Sequence, residues 1–204
     1  MKDLRGYMTE DEVKKLIDSA IRFRDKVLFR LLWVTGARIS EVVGDKSWYK
    51  TDKVQQRIFE GLKVKDVLWQ ERVIILDTLK RKVYPPPKRR VQIDFTTTKM
   101  LGEYVIQENL KLEDKVFKIT RVRAFQIIRE TGEHAGIQKV GNKKIHGHHL
   151  RHSHCVAYVK KNNTMEGLRK LQNRLGHSSI STTAHYLQFA PIEQKEIEDV
   201  FGKW

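Results

Sequence analysis

Several residue types and patterns are scarce or absent in this chain of 204 residues, and each absence excludes a class of protein. The single cysteine, Cys155, excludes a framework of disulfide bonds and indicates an intracellular protein. No apolar run approaches the ~20 residues that a membrane-spanning helix needs, and the first residues, MKDLRGYMTEDE, do not form a signal peptide. Internal repeats and low-complexity linkers are also absent. What remains is one large globular domain or two small ones, long enough to bury a core.

Acidic residues are outnumbered by basic ones along the chain. Lysine and arginine total 40 and aspartate and glutamate total 25, which gives a net charge of +15 and an isoelectric point near 9.9. No acidic tail offsets this excess. A field of this sign attracts polyanions, nucleic acid first and anionic membrane surfaces second. We therefore expect a nucleic-acid partner and no insertion into a membrane.

The most informative stretch runs from His148 to Tyr186 and combines imidazoles, a guanidinium and a phenol. A guanidinium offers a planar set of donors that fits a phosphate bidentately and stays charged at any working pH. A phenol can act as a nucleophile, and an imidazole can move protons or donate to an anion. The stretch has no pair of carboxylates and no glycine-rich phosphate loop. This combination indicates a phosphodiester attacked directly by the protein.

Hydrophobic periodicity predicts an α+β fold that is mainly α-helical. Thr9 and Glu12 form a capping box for a first helix that ends near Phe23. Asp25 caps a second helix that Gly36 stops, and Ser40 caps a short third helix. Further helices are predicted at Leu101 to Ile106, Thr120 to Ala135, His148 to Lys161 with a left-handed C-cap at Asn162 and Asn163, Met165 to Arg174, Ile180 to Phe189 and Ile192 to Phe201.

A small three-stranded antiparallel sheet is predicted in the middle of the chain. Its strands are expected at Leu62 to Val67, Arg72 to Thr78 and Arg89 to Asp94. The three prolines at 85–87 cannot take part in a β-ladder, so the segment from Lys80 to Lys88 is predicted to be a protruding basic hairpin tip. Residues 45–60 and 136–147 are predicted to be loops, the second of them basic.

Three ordered sequence boxes carry a resemblance to a known family. They are Gly36-Ala37-Arg38-Ile39-Ser40-Glu41, His148-His149-Leu150-Arg151-His152, and Leu175-Gly176-His177-Ser178-Ser179-Ile180-Ser181-Thr182-Thr183 with Tyr186. Together they resemble the signature boxes of tyrosine recombinases, the phage integrase and Xer-type enzymes, over Thr9 to Phe201. The resemblance implies a recombinase catalytic domain. It also implies a site-specific DNA recombinase or integrase that cleaves and rejoins double-stranded DNA through a 3′-phosphotyrosyl intermediate, without ATP, metal or another cofactor.

The resemblance also implies a role for each residue of the boxes. Arg38 and Arg151 would hold the non-bridging oxygens of the scissile phosphate and neutralise the charge of the transition state. Tyr186 would attack phosphorus, and His177 would donate a hydrogen bond to a phosphoryl oxygen. His148, one helical turn before Arg151, would help as base toward the tyrosine.

One further residue of the family is a lysine in the hairpin after the second strand, which protonates the leaving oxygen. Lys80 stands where that strand ends, and Lys82 is the alternative in the same hairpin. Glu41 is interpreted either as a residue that orients the others or as a residue of the helix surface, and His154 as a buried core histidine with satisfied hydrogen bonds.

The resemblance further implies a domain organisation and an assembly. The catalytic domain is expected to occupy residues 1–204 without the N-terminal core-binding domain that relatives carry, and residues 191–204 are expected to form a tail helix. That tail bears an apolar stripe at Ile192, Ile197, Val200 and Phe201. It would dock on a neighbouring subunit of a DNA-bound homotetramer, or pack on its own domain. The expected location is the cytoplasm or the nucleoid.

Alternative functions also fit parts of the sequence. A DNA-binding relative on the same fold could have lost cleavage, and a type IB topoisomerase shares the chemistry. A metal-dependent hydrolase is a third alternative, because His148 and His152 have the i, i+4 spacing of zinc helices. Against a metal site, no glutamate lies between these two histidines, and lysines flank the segment.

Overall fold

The computed structural model describes residues 6–45, 59–79 and 86–189. The predictions for Lys80 and Lys82, for most of the 45–60 loop and for the tail helix lie outside these residues. The described part of the chain is mainly helical with a small antiparallel sheet, which confirms the predicted fold class. Its helices are α1 (Glu10–Asp18), α2 (Phe23–Thr35), α3 (Ile39–Val43), α4 (Phe95–Gln107), α5 (Arg121–His134), α6 (Gly147–Lys161), α7 (Met165–Leu175) and α8 (Ser181–Ala184), and its strands are β1 (Val67–Leu68), β2 (Val73–Asp77), β3 (Lys88–Gln92), β4 (Lys139–Val140) and β5 (Lys143–Lys144).

The first helix has the predicted start but not the predicted end. The Thr9 hydroxyl accepts the Glu12 backbone N–H at 3.2 Å, and the Glu12 carboxylate accepts the Thr9 N–H at 2.7 Å, which confirms the capping box. Helix α1 ends at Asp18, short of the predicted Phe23. Asp25 does not cap α2, because it lies inside the helix, is buried, and pairs with the Arg24 Nε atom at 2.8 Å.

Helix α2 lies at the centre of the fold, where it contacts α1, α4 and α6. Gly36 ends it in the left-handed conformation (φ 62°), with its N–H donating to the Leu32 carbonyl at 3.0 Å. A Cβ atom on Gly36 would lie 2.6 Å from the His154 ring and 2.8 Å from a Leu175 methyl. The end of α2 therefore meets α6 and α7 at a point where only glycine fits, and the first sequence box begins there.

The three-stranded sheet has the order β1-β2-β3, and both pairs are antiparallel. The prediction of a first strand over Leu62 to Val67 was wrong, since only Val67–Leu68 pairs with β2 and Val64–Asp66 forms a 3-10 turn. The reason is that the backbone N–H groups of Val64 and Lys65 donate to carbonyl oxygens of the 111–114 turn instead of to a strand. The sheet consequently rests on the loop between α4 and α5.

Two C-terminal predictions need correction. Residues 136–147 contain a short β-hairpin, β4–β5, whose turn has Gly141 at φ 59°. Asn162 ends α6 at φ −145° and not in the left-handed region, because its side-chain amide donates to the Tyr158 carbonyl at 3.1 Å.

The last predicted helix in the described part of the chain is also interrupted. Ile180 to Phe189 is not one helix but α8 followed by a 3-10 turn over His185–Phe189, which carries Tyr186. Leu187, the residue after Tyr186, is exposed. The predicted cap Thr120 is confirmed at the start of α5, where its hydroxyl accepts the Arg123 N–H at 3.1 Å.

No helix among residues 6–45, 59–79 and 86–189 is both long enough and apolar enough to cross a membrane.

Candidate active site

Arg38 begins the site at the first turn of α3. It occupies the N-cap position for which Ser40 was predicted, because the Glu41 carboxylate reaches back to accept the Arg38 backbone N–H at 2.8 Å. The same carboxylate pairs with the Arg38 Nη1 atom at 2.9 Å. The guanidinium of Arg38 is therefore held at one edge by Glu41.

Glu41 is fully buried and joins two arginines. Besides its contact with Arg38, the Glu41 carboxylate accepts a hydrogen bond from the Nη2 atom of Arg89 at 2.7 Å. Burial on its own raises the pKa of the Glu41 carboxyl, but Arg89, Arg151 and Arg38 outweigh this effect and hold the pKa below its usual value. Glu41 is consequently ionised at neutral pH, in agreement with its interpretation as an orienting residue.

Arg89 was not recognised from the sequence as part of the site. It is buried in β3 and donates to the carbonyl oxygens of Arg174 at 3.0 Å and Asp77 at 3.1 Å. It thereby ties the sheet to the end of α7, where the third box begins. The sequence did contain a signal for its burial. Alternate residues of a strand share a face, so Arg89 lies on the same buried face of β3 as Val91.

Arg151 is buried within α6, with 6% of its surface exposed. Its Nη1 atom donates to the Gly36 carbonyl at 2.6 Å, and its Nη2 atom donates to the Leu175 carbonyl at 3.1 Å and to the His177 Nε2 atom at 2.9 Å. Burial, with a smaller effect from Arg38, lowers the pKa of Arg151 to about 10. The group is still charged at neutral pH, and its contacts bring all three sequence boxes together.

His177 follows Gly176, which ends α7 in the left-handed conformation at φ 67°. Its Nδ1 atom lies 2.9 Å from the Thr183 hydroxyl. Because the guanidinium of Arg151 can only donate, Nε2 of His177 accepts, and the ring proton lies on Nδ1. Burial first, and then the charges of Arg151 and Arg38, lower the pKa of His177 to about 4, so the ring is neutral.

Tyr186 lies half-buried on the 3-10 turn after α8, packed against the cluster that includes Cys155 and Leu175. Its hydroxyl is 2.7 Å from the Nδ1 atom of His152. Burial, with a smaller effect from Cys155, raises the pKa of Tyr186 above its usual value. The phenol is therefore protonated at neutral pH and needs a partner to lose its proton.

The two remaining predicted site residues are His148 and Lys80. The ring of His148 is exposed and lies 5.9 Å from that of His146, while the phenol of Tyr186 contacts His152. Burial and neighbouring charges lower the pKa of His148 to about 4. Lys80 lies outside the described residues, but the preceding Leu79 donates its N–H to Glu41 at 3.4 Å.

The histidines of α6 do not converge as metal ligands. Within residues 6–45, 59–79 and 86–189, no three histidine, cysteine, aspartate or glutamate side chains are placed to hold a metal ion. His146 and His149 stack instead, with ring centroids 4.0 Å apart. His154 is buried as expected, but its Nε2 atom has no hydrogen-bond partner among the described groups, so the expectation of a satisfied histidine was wrong.

Comparison with known proteins identifies the family. The model of the phage integrase family matches residues 6–192. The chain belongs to the phage integrase family. It is 26% identical to the tyrosine recombinase XerA of Pyrococcus horikoshii, over 98% of this chain and 65% of that protein. It is also 26% identical to XerD of Bifidobacterium longum, over 92% of this chain and 59% of that protein. The integrase-family chain thus spans about three fifths of the length of these curated relatives.

Solved structures of the phage integrase family share this fold. A crystal structure of XerA recombinase superimposes with a TM-score of 0.68 at 25% identity, over 97% of this chain and 62% of that one. The catalytic domain of bacteriophage HP1 integrase gives 0.63 at 21% identity, over 96% and 94% of the two chains. A pre-cleavage complex of XerH with its difH substrate gives 0.69 at 21% identity, over 100% and 55%.

Proposed function

We propose that this integrase-family chain is a site-specific recombinase that cleaves and rejoins double-stranded DNA through a phosphotyrosyl bond at Tyr186. One observation carries the proposal. Two consecutive residues of α6 contact the two functional groups of the third box, since Arg151 donates to His177 and His152 hydrogen bonds with Tyr186. A guanidinium and a phenol held this close suit an attack on a phosphate.

The cleavage step balances with the groups that the chain supplies. The Tyr186 phenol gives its proton to a histidine of α6 as its oxygen bonds to phosphorus, the bond between phosphorus and the 5′-oxygen breaks, and the leaving oxygen takes up a proton. Arg38 and Arg151 hold the two non-bridging oxygens, and Lys80, or Lys82 in the same hairpin, is our proposed proton donor. The covalent intermediate conserves the phosphodiester energy for religation.

The resting contact of His177 constrains its proposed role. Its Nε2 atom accepts a hydrogen bond from Arg151 and has no proton to donate to a phosphoryl oxygen. The incoming phosphate would replace Arg151 at this atom, and Nε2 would gain a proton either by uptake of a second proton or by a change of tautomer in which the Thr183 hydroxyl donates to Nδ1. Negative charge within hydrogen-bond distance favours the uptake of a second proton.

The proposed partner is DNA, and the net charge of +15 supports it. The XerH neighbours are complexes with their difH substrate before and after cleavage. We further propose that the active unit on DNA is a homotetramer and that it works in the cytoplasm or on the nucleoid. Sedimentation of the chain with duplex DNA, before and after deletion of the residues that follow Pro191, tests the tetramer. A loss of tetramers with an intact fold supports docking of the tail between subunits.

A trapped covalent adduct tests the activity. The chain is incubated in EDTA with a library of nicked duplexes of random sequence, in which cleavage releases a short strand that cannot religate. Protein–DNA adducts that survive denaturing electrophoresis are expected for the wild-type chain and not for Tyr186→Phe. Sequencing the trapped DNA gives the target site. An adduct that persists in Tyr186→Phe, or that EDTA abolishes, contradicts the mechanism, and binding without any adduct supports the cleavage-deficient relative.

A further inference from the structure

The phenol of Tyr186 is in contact with a histidine other than the one that the sequence boxes single out. Its hydroxyl lies 2.7 Å from the Nδ1 atom of His152, and the two rings are 5.8 Å apart between centroids. His148 lies one turn earlier on α6 and is exposed, as His152 is, but its ring lies beside that of His146. The contact joins α6 to the 3-10 turn after α8, so sequence spacing alone could not reveal it.

We propose that His152 is the catalytic residue that accepts the proton of Tyr186 when the phenol attacks DNA. This inference rests on the proposed cleavage function. His152 is already within hydrogen-bond distance of the proton that must leave, which is the first requirement for a general base.

The proton transfer needs a particular tautomer of His152. With its own proton on Nε2, the ring accepts the phenol O–H at Nδ1. As the Tyr186 oxygen bonds to phosphorus, its proton moves to Nδ1 and His152 becomes an imidazolium. In religation the bond between phosphorus and the Tyr186 oxygen breaks, and the imidazolium returns the proton to the phenolate. The step therefore consumes no further reagent.

The surroundings of His152 keep it neutral until DNA arrives. Burial lowers the pKa of its ring first, and the charges of Arg151 and Lys143 lower it further. The remaining titratable groups around it are His146 and His149 in the cavity on one side, and Tyr7, Cys155, His185 and Tyr186 on the other. DNA phosphates compensate the nearby positive charges, so proton uptake by His152 becomes more favourable once substrate is bound.

Substitution by asparagine separates proton transfer from positioning. In His152→Asn the amide group occupies nearly the place of Nδ1 and can hydrogen bond with the phenol, but it cannot take up a proton. The single-turnover cleavage rate is expected to fall by on the order of 10²-fold or more. The rise of the rate with pH that a titrating base produces is also expected to disappear. His134→Asn, at an exposed histidine at the end of α5, is the matched control and should keep the wild-type rate.

The outcomes distinguish this inference from the proposed function. A wild-type chain that forms no adduct overturns the proposed function. A wild-type chain that forms the adduct, with His152→Asn cleaving at a similar rate or keeping the same rise with pH, overturns the role of His152 alone. A pH-dependent rise that disappears in His148→Asn and remains in His152→Asn assigns the base to His148 instead.

Two measurements guard against indirect effects. A duplex with sulfur in place of the 5′ bridging oxygen releases a thiolate, which needs no proton. This duplex should restore cleavage to a variant that lacks the proton donor, Lys80 or Lys82, but should not restore it to His152→Asn. Nitrogen NMR of the wild-type imidazoles requires no variant at His152 and should show hydrogen-bonded Nδ1 and protonated Nε2. That signal should shift in Tyr186→Phe, and an unchanged signal contradicts the contact.

Discussion

At the residue scale, the charged groups of the site are anchored mainly to the main chain. Arg89 and Arg151 each donate to two backbone carbonyl oxygens, and so does Arg174, whose acceptors are on Val34 and Gln92. A guanidinium anchored in this way is fixed by the helix and strand ends that supply the carbonyls. These anchors also leave most of the positive charge uncompensated, which is what a phosphate site requires.

Arg151 and Arg38 are predicted to affect cleavage far more than DNA binding. Each is expected to contribute on the order of 10²–10³ in rate as a transition-state donor, whereas each is one of 40 basic residues in the attraction of DNA. Arg38→Ala and Arg151→Lys should therefore lose adduct formation and keep most of the non-specific affinity, measured by titration of a labelled duplex. Arg129→Ala, on the exposed side of α5, is the control. A loss of affinity in proportion to the loss of activity would show that these residues bind DNA rather than stabilise the transition state.

Glu41 is predicted to make stability depend on acid pH. Its pKa in the folded state lies below the ordinary 4.5, so its ionised form stabilises the fold above that pH, and the stabilisation is lost as pH falls through the lowered pKa. Removing one partner of a buried ion pair costs roughly 3–5 kcal/mol. Urea unfolding of wild type and Glu41→Gln should therefore differ most near neutral pH and converge in acid. A difference that stays constant below pH 4.5 would contradict this account.

At the element scale, glycines in the left-handed conformation bring the sequence boxes together. Gly36 ends α2 and is the first residue of the first box, and Gly176 ends α7 within the third. A Cβ atom on Gly176 would lie 2.7 Å from the Thr78 methyl at the end of β2. The close approach of α2, α6, α7 and β2 thus depends on two residues without side chains.

Gly36→Ala is predicted to destabilise the fold. The left-handed conformation costs an alanine roughly 1–2 kcal/mol, and its Cβ would also lie 2.6 Å from the His154 ring, so the total should exceed that range. Gly102→Ala is the matched control, because Gly102 lies inside α4 and its Cβ would meet Trp69 at an ordinary 3.5 Å. That change should be neutral or stabilising. Equal unfolding midpoints for the two variants in urea would contradict the argument.

Local signals in the sequence predicted the elements that local chemistry determines. The capping residues Thr9 and Thr120 and the stop at Gly36 are where they were expected, because a cap depends on residues three or four positions away. The first strand was mispredicted because distant carbonyl oxygens of the 111–114 turn accept its N–H groups. The contact of His152 with Tyr186 was missed for the same reason, since it joins residues of different elements.

At the scale of the whole molecule, part of the positive charge lies beside the site. The β4–β5 hairpin exposes Lys139, Lys143 and Lys144, and Lys143 lines the same cavity as His152. Some other exposed lysines pair with carboxylates, as Lys99 does with Glu103. The hairpin is therefore the described segment that is best placed to hold DNA phosphates next to Tyr186.

The affinity for DNA is predicted to fall steeply as salt rises, because lysines and arginines that meet phosphates supply most of it. Each neutralised phosphate contributes about −0.9 to the slope of log K against log salt. Replacing Lys139, Lys143 and Lys144 by alanine should make the slope shallower by about 0.9 for each phosphate contact that is lost. The control removes the same charge at lysines that pair with carboxylates, namely Lys99, Lys118 and Lys170, and should change the slope less. Both variants are titrated with a labelled duplex at several salt concentrations.

Tight, sequence-selective binding that barely responds to salt would contradict this prediction. It would mean that side chains of this chain contact base edges in a groove, since phosphate contacts carry no sequence information.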